Sequence, residues 1–442
     1  LNLDMVQFLY ASDMNDEVFQ RILNRNSGSD LQNIIDRVRP IMEDVRLRGD
    51  QALTDYEQKF NNVHLTTEKL KVQPEEFERA SQDVPSEHKD AITTAIENVR
   101  RHNLSALEAY KGFQTEIRPG VITGERAVPI DSVGLYVPGG KNLFPSTVYM
   151  MAIPAIVAGV PNINMAAQAR PDGTINPYLL FTAQSCGVSE FFKISGAHGI
   201  AAFGFGTETV PEVGKIMGPS GIYALAAKRA LPTFGCMVDT GFPAGPSESI
   251  VLCDETADVD NTVWDIINEA EHGTDSAGLL VTHDHDLAEK VHGKLPDAIA
   301  ELPEPQKSYL TENMQTLGGV IVTENLEKSI QFINAYAPEH VLIKTRNPRE
   351  VMRSIKNAGC ILLGEMTPNT LNNFTLGANH ALPTGMAAKT YSGASITQYL
   401  KFQQIGEVVS KEGFDSVAAP ATTLCDIEGF PGHKQVIAKR KF

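Results

Sequence analysis

Glu269, His272, Glu339 and His340 are the residues of this chain whose types and spacing can do chemistry. Glu269 and His272 stand three apart in Asn268-Glu269-Ala270-Glu271-His272-Gly273, near the end of a strongly helical run from Val263 to His272. Residues three apart share a helix face, so this carboxylate and imidazole aim at one point and make half of a zinc site. Glu339-His340 is an adjacent acid and imidazole after Ala337-Pro338. An imidazole that titrates near neutrality suits the removal of a hydroxyl proton, and a carboxylate beside it can orient or activate water. His380, in Gly377-Ala378-Asn379-His380, and His433, in Pro431-Gly432-His433-Lys434, also sit at element boundaries, where functional groups concentrate. For any one of these histidines alone a structural role is the better reading; the recurrence of the context carries the functional one. Asn372-Asn373 falls in a stretch from Thr367 to His380 with little periodicity, where ordinary turn chemistry competes.

The elements that must hold these groups read as alternating strands and helices. Ser132 to Val137 is a strand ending in Pro138-Gly139-Gly140. A helix from Pro145 to Gly159, a strand from Asn162 to Ala167, a helix from Pro177 to Cys186, a strand from Phe191 to Ser195 and a helix from Ala197 to Phe205 follow. This alternation implies a parallel sheet with right-handed crossovers, half of a doubly wound nucleotide-binding fold. Ile250 to Cys253, Gly278 to Thr282, Gly319 to Val322, His340 to Lys344 and Cys360 to Leu363 read as the strands of a second α/β domain. Helices from residues 15 to 110 are expected to complete it, and Gly49 marks a helix end. Residues 408 to 442 read as a tail of turns with a basic end. There is no GxGxxG; Gly204-Phe205-Gly206 lacks the third glycine. Gly139-Gly140 and Gly196 can bring backbone close to a pyrophosphate or make tight turns only.

Composition sets the outer bounds. At 442 residues the chain is too long for one simple core and predicts two or more domains. A net charge of −16 argues against a nucleic-acid surface. No run approaches the ~20 apolar residues of a membrane span. The longest apolar stretch, Val148 to Val160, contains Pro154 and reads as a buried helix. The first residues, Leu1-Asn2-Leu3-Asp4-Met5, show no basic start or signal-like apolar core. Five scattered cysteines without CxxC spacing fit a reducing cytoplasm.

With these motifs in view, the chain resembles the histidinol dehydrogenase family over nearly its whole length. The segments that carry the resemblance are Arg48-Gly49-Asp50, Val133 to Gly140, Ala201 to Glu208, Pro243 to Glu248, Ala270 to Gly273, Pro338-Glu339-His340, Asn379 to Thr384 and Lys411 to Phe414. The resemblance implies two Rossmann-like, doubly wound α/β domains with small helical N- and C-terminal extensions, in an intertwined homodimer. The implied division is an extension from 1–29 with 394–407, a large domain from 30–131 with 248–393, a cofactor domain from 132–247 and a tail from 408–442 that reaches the partner subunit. It also implies an alcohol oxidised in two hydride transfers to NAD, through a bound aldehyde, with one zinc. The family's zinc positions fall on Glu269, His272, Asn373 and His433, the last supplied by the partner subunit. The catalytic pair falls on Glu339 and His340. Substrate contacts fall on Ser247, His380 and Glu428, with Glu428 again from the partner, and cofactor contacts on Tyr136, His198 and Gly221.

Two departures from the family pattern are informative. The family has Gln where this chain has Glu269, and Asp where it has Asn373. The exchange conserves one carboxylate, one amide and two imidazoles, so the formal ligand charge is unchanged. The family also reads Gly-Pro-Gly-Asn where this chain has Gly218-Pro219-Ser220-Gly221, and Gln where it has His198. Together these favour a paralogue acting on another small polar alcohol, such as 2,3-dihydroxypropane-1-sulfonate. The alternatives are a true L-histidinol dehydrogenase and a non-catalytic binding or assembly protein.

Overall fold

The computed structural model describes residues 6–13, 17–25, 31–139 and 143–441. Gly140 and most of the loop after it lie outside the described residues, as do the first residues of the expected N-terminal extension.

Among the described residues there are thirteen strands: Phe8–Tyr10 (β1), Gly112–Arg118 (β2), Val121–Pro129 (β3), Ser132–Val137 (β4), Asn162–Ala167 (β5), Glu190–Phe192 (β6), Lys215–Met217 (β7), Glu248–Cys253 (β8), Ala277–Thr282 (β9), Gly319–Val322 (β10), His340–Lys344 (β11), Cys360–Leu363 (β12) and Leu400–Val408 (β13). They form a four-stranded sheet ordered β6-β5-β4-β7 and a six-stranded sheet ordered β1-β10-β9-β8-β11-β12, both wholly parallel. A third sheet, β13-β3-β2, is antiparallel. The mixed α/β architecture with parallel sheets agrees with the expectation. Strands β8, β9, β10 and β11 are buried along their whole length, as parallel strands covered on both faces must be. Helix Pro145–Ala158, apolar all round, fills the space against the four-stranded sheet.

The helices pack differently from the expected grouping. Those between residues 31 and 109 cover the four-stranded sheet, not the six-stranded one. Val38, Met42 and Leu53 share a core with Phe192, Ile200 and Phe203. Phe77, Ala95 and Val99 share another with Val133, Leu135 and Val148. The described part of 1–29 is not wholly helical, since β1 adds an edge strand to the six-stranded sheet through Phe8–Val320 pairing before helix Glu17–Leu23. Nor is 394–407 helical: a short 3₁₀ turn, Ile396–Tyr399, leads directly into β13. The tail is more regular than a string of turns, forming helices Lys411–Glu428 and Pro431–Ala438.

One relation between the sheets decides where chemistry can happen. The chain leaving the C-terminal ends of β4 and β7 supplies Pro138 and residues 219–221 to a cleft, as expected for a parallel sheet. The opposite wall comes from the N-terminal ends of β8, β9 and β11, through Ser247, Ser276, Glu339 and His340. The cleft therefore lies between the C-terminal edge of one sheet and the N-terminal edge of the other.

Candidate active site

Helix Val259–Ala270 begins at Asp258, whose carboxylate caps it by accepting from the Asn261 N–H at 2.8 Å. Its apolar face packs on the six-stranded sheet, and its last turn carries Glu269 and then His272 into the cleft. The Nδ1 of His272 lies 3.0 Å from the Glu269 carbonyl oxygen. Such a bond requires the proton on Nδ1 and leaves the Nε2 lone pair free. His380 repeats the arrangement, with Nδ1 donating to the Asn373 carbonyl at 2.7 Å.

Glu339 and His340 enter from the start of β11, just after Ala337, which holds a left-handed φ of 51°. The backbone N–H of Glu248 donates to Glu339 Oε2 at 3.1 Å. His340 Nε2 lies 3.8 Å from Glu339 Oε1. Both residues are buried, and His340 Nδ1 has no hydrogen-bond partner.

Glu269 is 2% exposed, and its Oε1 accepts three side-chain amides: Asn268 at 2.7 Å, Asn369 at 2.5 Å and Asn373 at 2.6 Å. Its Oε2 faces His272 Nδ1 at 3.8 Å. Burial opposes its charge, but the His340 and His272 imidazoles and the Asn373 amide outweigh that and hold the carboxyl below its ordinary value. Burial, and then the Glu269 charge, push Glu339 well above the usual carboxylate range. Two buried carboxylates this close do not both ionise without a cation. Burial also lowers His340, against the pull of Glu269, and pushes His380 down to about 4.

These groups line one cavity of about 440 Å³. It gathers Glu269, His272, Asn373, Glu339, His340, Ser247, His380 and Gly221 from widely separated segments. Oxygen or nitrogen atoms of Glu269, Glu339 and His340 all come within 4.8 Å of one another. Among the described residues, no lysine or arginine forms an ion pair with Glu269 or Glu339. A buried acidic pair faced only by imidazoles and amides suits a divalent cation, and a mixed oxygen and nitrogen donor set suits zinc.

Other expected site residues lie elsewhere. Tyr136 points to the opposite face of β4 from Leu135 and Val137, and its hydroxyl accepts from the Gly196 N–H at 3.0 Å. His198 is sealed in the interior, its Nε2 2.7 Å from Glu57 Oε1. Neither lines the cleft. Glu428 and His433 are exposed on the two C-terminal helices, outside the cleft of their own chain.

Several supporting contacts escaped the sequence reading, although Glu248 and Thr384 lie in segments that carry the resemblance. Asn369 stands one helical turn before Asn373, so the i, i+4 spacing was the available signal for a shared target. Glu248 is held by Arg25 through two hydrogen bonds of 2.7 and 2.6 Å, while its Oε1 also accepts from the Gly385 N–H. Thr384 Oγ1 accepts from the Gly245 N–H at 2.7 Å. These bonds tie the loop bearing His380 to the segment bearing Ser247, and no local pattern announces them.

The comparisons with known proteins point to one family. The family model described as Histidinol dehydrogenase matches residues 24–441. The histidinol dehydrogenase of Synechocystis sp. is 40% identical over 419 residues, covering 95% of each chain. A histidinol dehydrogenase homolog of Colwellia psychrerythraea is 38% identical, over 97% of this chain and 95% of that protein. The crystal structure of histidinol dehydrogenase from Elizabethkingia anophelis superposes with a TM-score of 0.87 at 32% identity, over 93% of this chain and 95% of that one. With that match along almost its full length, the chain belongs to the histidinol dehydrogenase family.

Proposed function

We propose that this protein is a zinc- and NAD-dependent dehydrogenase that oxidises a small polar primary alcohol to its carboxylate through a bound aldehyde. The observation that carries this reading is the convergence of Glu339 and His340 with Glu269, His272 and Asn373 in one cleft. Glu269, the His272 Nε2 and the Asn373 amide would hold the metal, with His433 of a second subunit as the fourth donor. Bound there, zinc supplies Lewis acidity and orientation to the substrate oxygen.

The chain's own groups do the rest. His340, kept neutral by burial, is poised to take the hydroxyl proton as hydride leaves the adjacent carbon. Glu339 shares that position and serves the second oxidation, taking a proton from the water that adds to the aldehyde. Ser247 and His380 line the cavity where the substrate body must lie. Because both oxidations use one cleft, the aldehyde need not escape between them. Gly221 and its neighbours, which line the opposite wall, would receive the dinucleotide.

The same reading makes the active unit a homodimer. The three-stranded sheet and C-terminal helices form an arm with Phe402, Val409, Ile427 and Phe430 exposed, and a second copy of the chain would cover them. It would also bring Glu428 and His433 to the neighbouring cleft. No helix among the described residues is long and apolar enough to cross a membrane.

For the substrate, the Glu269–Asn373 pair favours a non-histidinol alcohol such as 2,3-dihydroxypropane-1-sulfonate. The carboxylate sits on the helix side of the site, so the field along the cleft differs from that of a Gln–Asp pair. L-histidinol is the competing substrate, supported by the Ser247 and His380 walls. NADH formation by zinc-loaded protein on both alcohols tests the proposal. Two NADH per substrate on either would support it and name the substrate. Silence on a broad alcohol panel, together with failure to retain zinc, would instead indicate a non-catalytic binding protein.

A further inference from the structure

A second cavity, of about 300 Å³, lies behind the loop that lines the active-site cleft. Leu225, Lys228, Arg229, Asp239, Phe242 and Tyr391 are among its walls. Helix Ile222–Ala230 joins the two cavities: its first residues line the cleft, its last turn lines the second cavity, and Leu225 borders both. Lys228 is 4% exposed, and its Nζ donates to the Gly218 carbonyl oxygen at 2.6 Å. An ammonium has three N–H donors. Among the described residues, Gly218 is the one acceptor that Lys228 meets, and no carboxylate pairs with it. Arg229 also lines the cavity without an ion pair among the described residues. The acidic group nearby, Asp239, is engaged by Lys215 at 2.8 Å and by the Gly241 N–H at 2.8 Å.

We infer that this second cavity is a binding site for a small oxyanion, a phosphate or a carboxylate, received by Lys228 and Arg229. A buried ammonium with spare donors beside an exposed guanidinium is a strong arrangement for charge-assisted hydrogen bonds. Burial alone drives the Lys228 amine down to about 7, so an anion entering the cavity supplies the compensation that the protein withholds. The same ammonium holds Gly218, which has φ 124° and leaves no room for a Cβ, since one would lie 2.1 Å from the Tyr136 carbonyl oxygen. The anion would therefore share a donor with the loop 218–221 and tie its own occupancy to the shape of the cleft.

Calorimetric titration of the whole protein with inorganic phosphate, and separately with acetate, tests this. The expected result is saturable binding at one site per chain, tighter below pH 7 than above it. Lys228→Met should weaken it by about tenfold or more, and Arg229→Gln by roughly severalfold. Phosphate preferred over acetate identifies a phosphate site, and the reverse a carboxylate site; both outcomes support the inference. No saturable binding by either anion overturns it. So does wild-type affinity in the variants, or displacement of phosphate by NAD, which would place the anion in the cleft instead. Arg229 is exposed, so R229Q keeps the test open if K228M does not fold.

Discussion

Asn369 and Asn373, one helical turn apart, both donate their side-chain amides to the same oxygen of Glu269, at 2.5 and 2.6 Å. With Asn268 as a third donor, Oε1 is saturated and Oε2 is left for the cleft. The exchange of Gln–Asp for Glu–Asn in this chain is thus one linked change: an Asn at 373 donates to a Glu at 269, whereas an Asp there would repel it. We expect Glu269→Gln and Asn373→Asp each to weaken zinc retention, and the double variant to recover much of the loss. The coupling should be about 1–3 kcal/mol, the range for residues within one hydrogen-bond network. Chelator competition on the four proteins measures it, and simple additivity would show the two positions to be independent.

Asn369→Ala tests the same network from outside the expected ligand set. It removes one bond to a buried carboxylate and leaves the cleft-lining groups in place. A hydrogen bond to a charged group contributes about 1.5–3 kcal/mol, so zinc affinity should fall by roughly ten- to a hundredfold. Unchanged zinc affinity would mean that Asn268 and Asn373 suffice.

How much of this was legible beforehand follows from where the information lies. Strands such as Leu279–Val281 and Val341–Ile343 show as apolar runs because both their faces are covered. The antiparallel sheet left no such trace: β2 is exposed along its whole length, and β13 nearly so, in the single chain. The C-terminal helix Lys411–Glu428 buries only Gly413, so its sequence lacks the one-sided core pattern that reveals a helix. In the site, Glu269 with His272 and Glu339 with His340 were visible as local pairs. The bond from the Glu248 backbone to Glu339, spanning 91 residues, depends on strand order and has no local signal.

The catalytic pair should separate the two oxidations. His340→Gln removes the proton acceptor of the first step, and a general base contributes about 10²–10⁴-fold, so alcohol turnover should fall by that order. Glu339→Gln should impair oxidation of the added aldehyde more than oxidation of the alcohol. Equal loss in both half-reactions would remove the distinct role given to Glu339. Burial lowers His340 below the ordinary imidazole value. The neutral, competent form therefore persists into mildly acidic solution, and the acidic limb of kcat/KM should lie below about 6.5, the free-imidazole value. A limb above that value would contradict the burial argument.

Lys228 gives a stability prediction with a definite sign. Its folded value is about 7, whereas an unfolded lysine titrates near 10.4. Between these values the unfolded chain holds the proton and the folded chain does not, so this residue makes stability rise with pH across the window. Below about 7 both states are protonated, and the fold bears the full cost of a buried charge. In anion-free buffer, Lys228→Met should therefore gain most on the wild type at neutral and lower pH. Its advantage should shrink toward the upper end of the window, where the lost bond to Gly218 is what remains. Urea unfolding of both proteins across pH reads this directly, and a pH-independent difference would show that Lys228 is protonated throughout.

The shared-site reading makes the sharpest functional prediction, because it can succeed only through a second chain. Glu339→Gln disables the cleft of its own subunit but leaves a normal C-terminal arm. His433→Ala leaves its own cleft intact but supplies a defective arm to its neighbour. Assayed by oxidation of the aldehyde, each homodimer should be nearly inactive. In a heterodimer, the cleft with native Glu339 receives the native His433, while the other cleft carries both defects. Random reassortment makes half the dimers mixed, each with one working site, so a refolded equimolar mixture should recover about a quarter of wild-type activity. The exposed positions of Glu428 and His433 in the single chain are what this scheme requires. Recovery absent after verified subunit exchange would confine each site to one chain and would remove His433 from the ligand set.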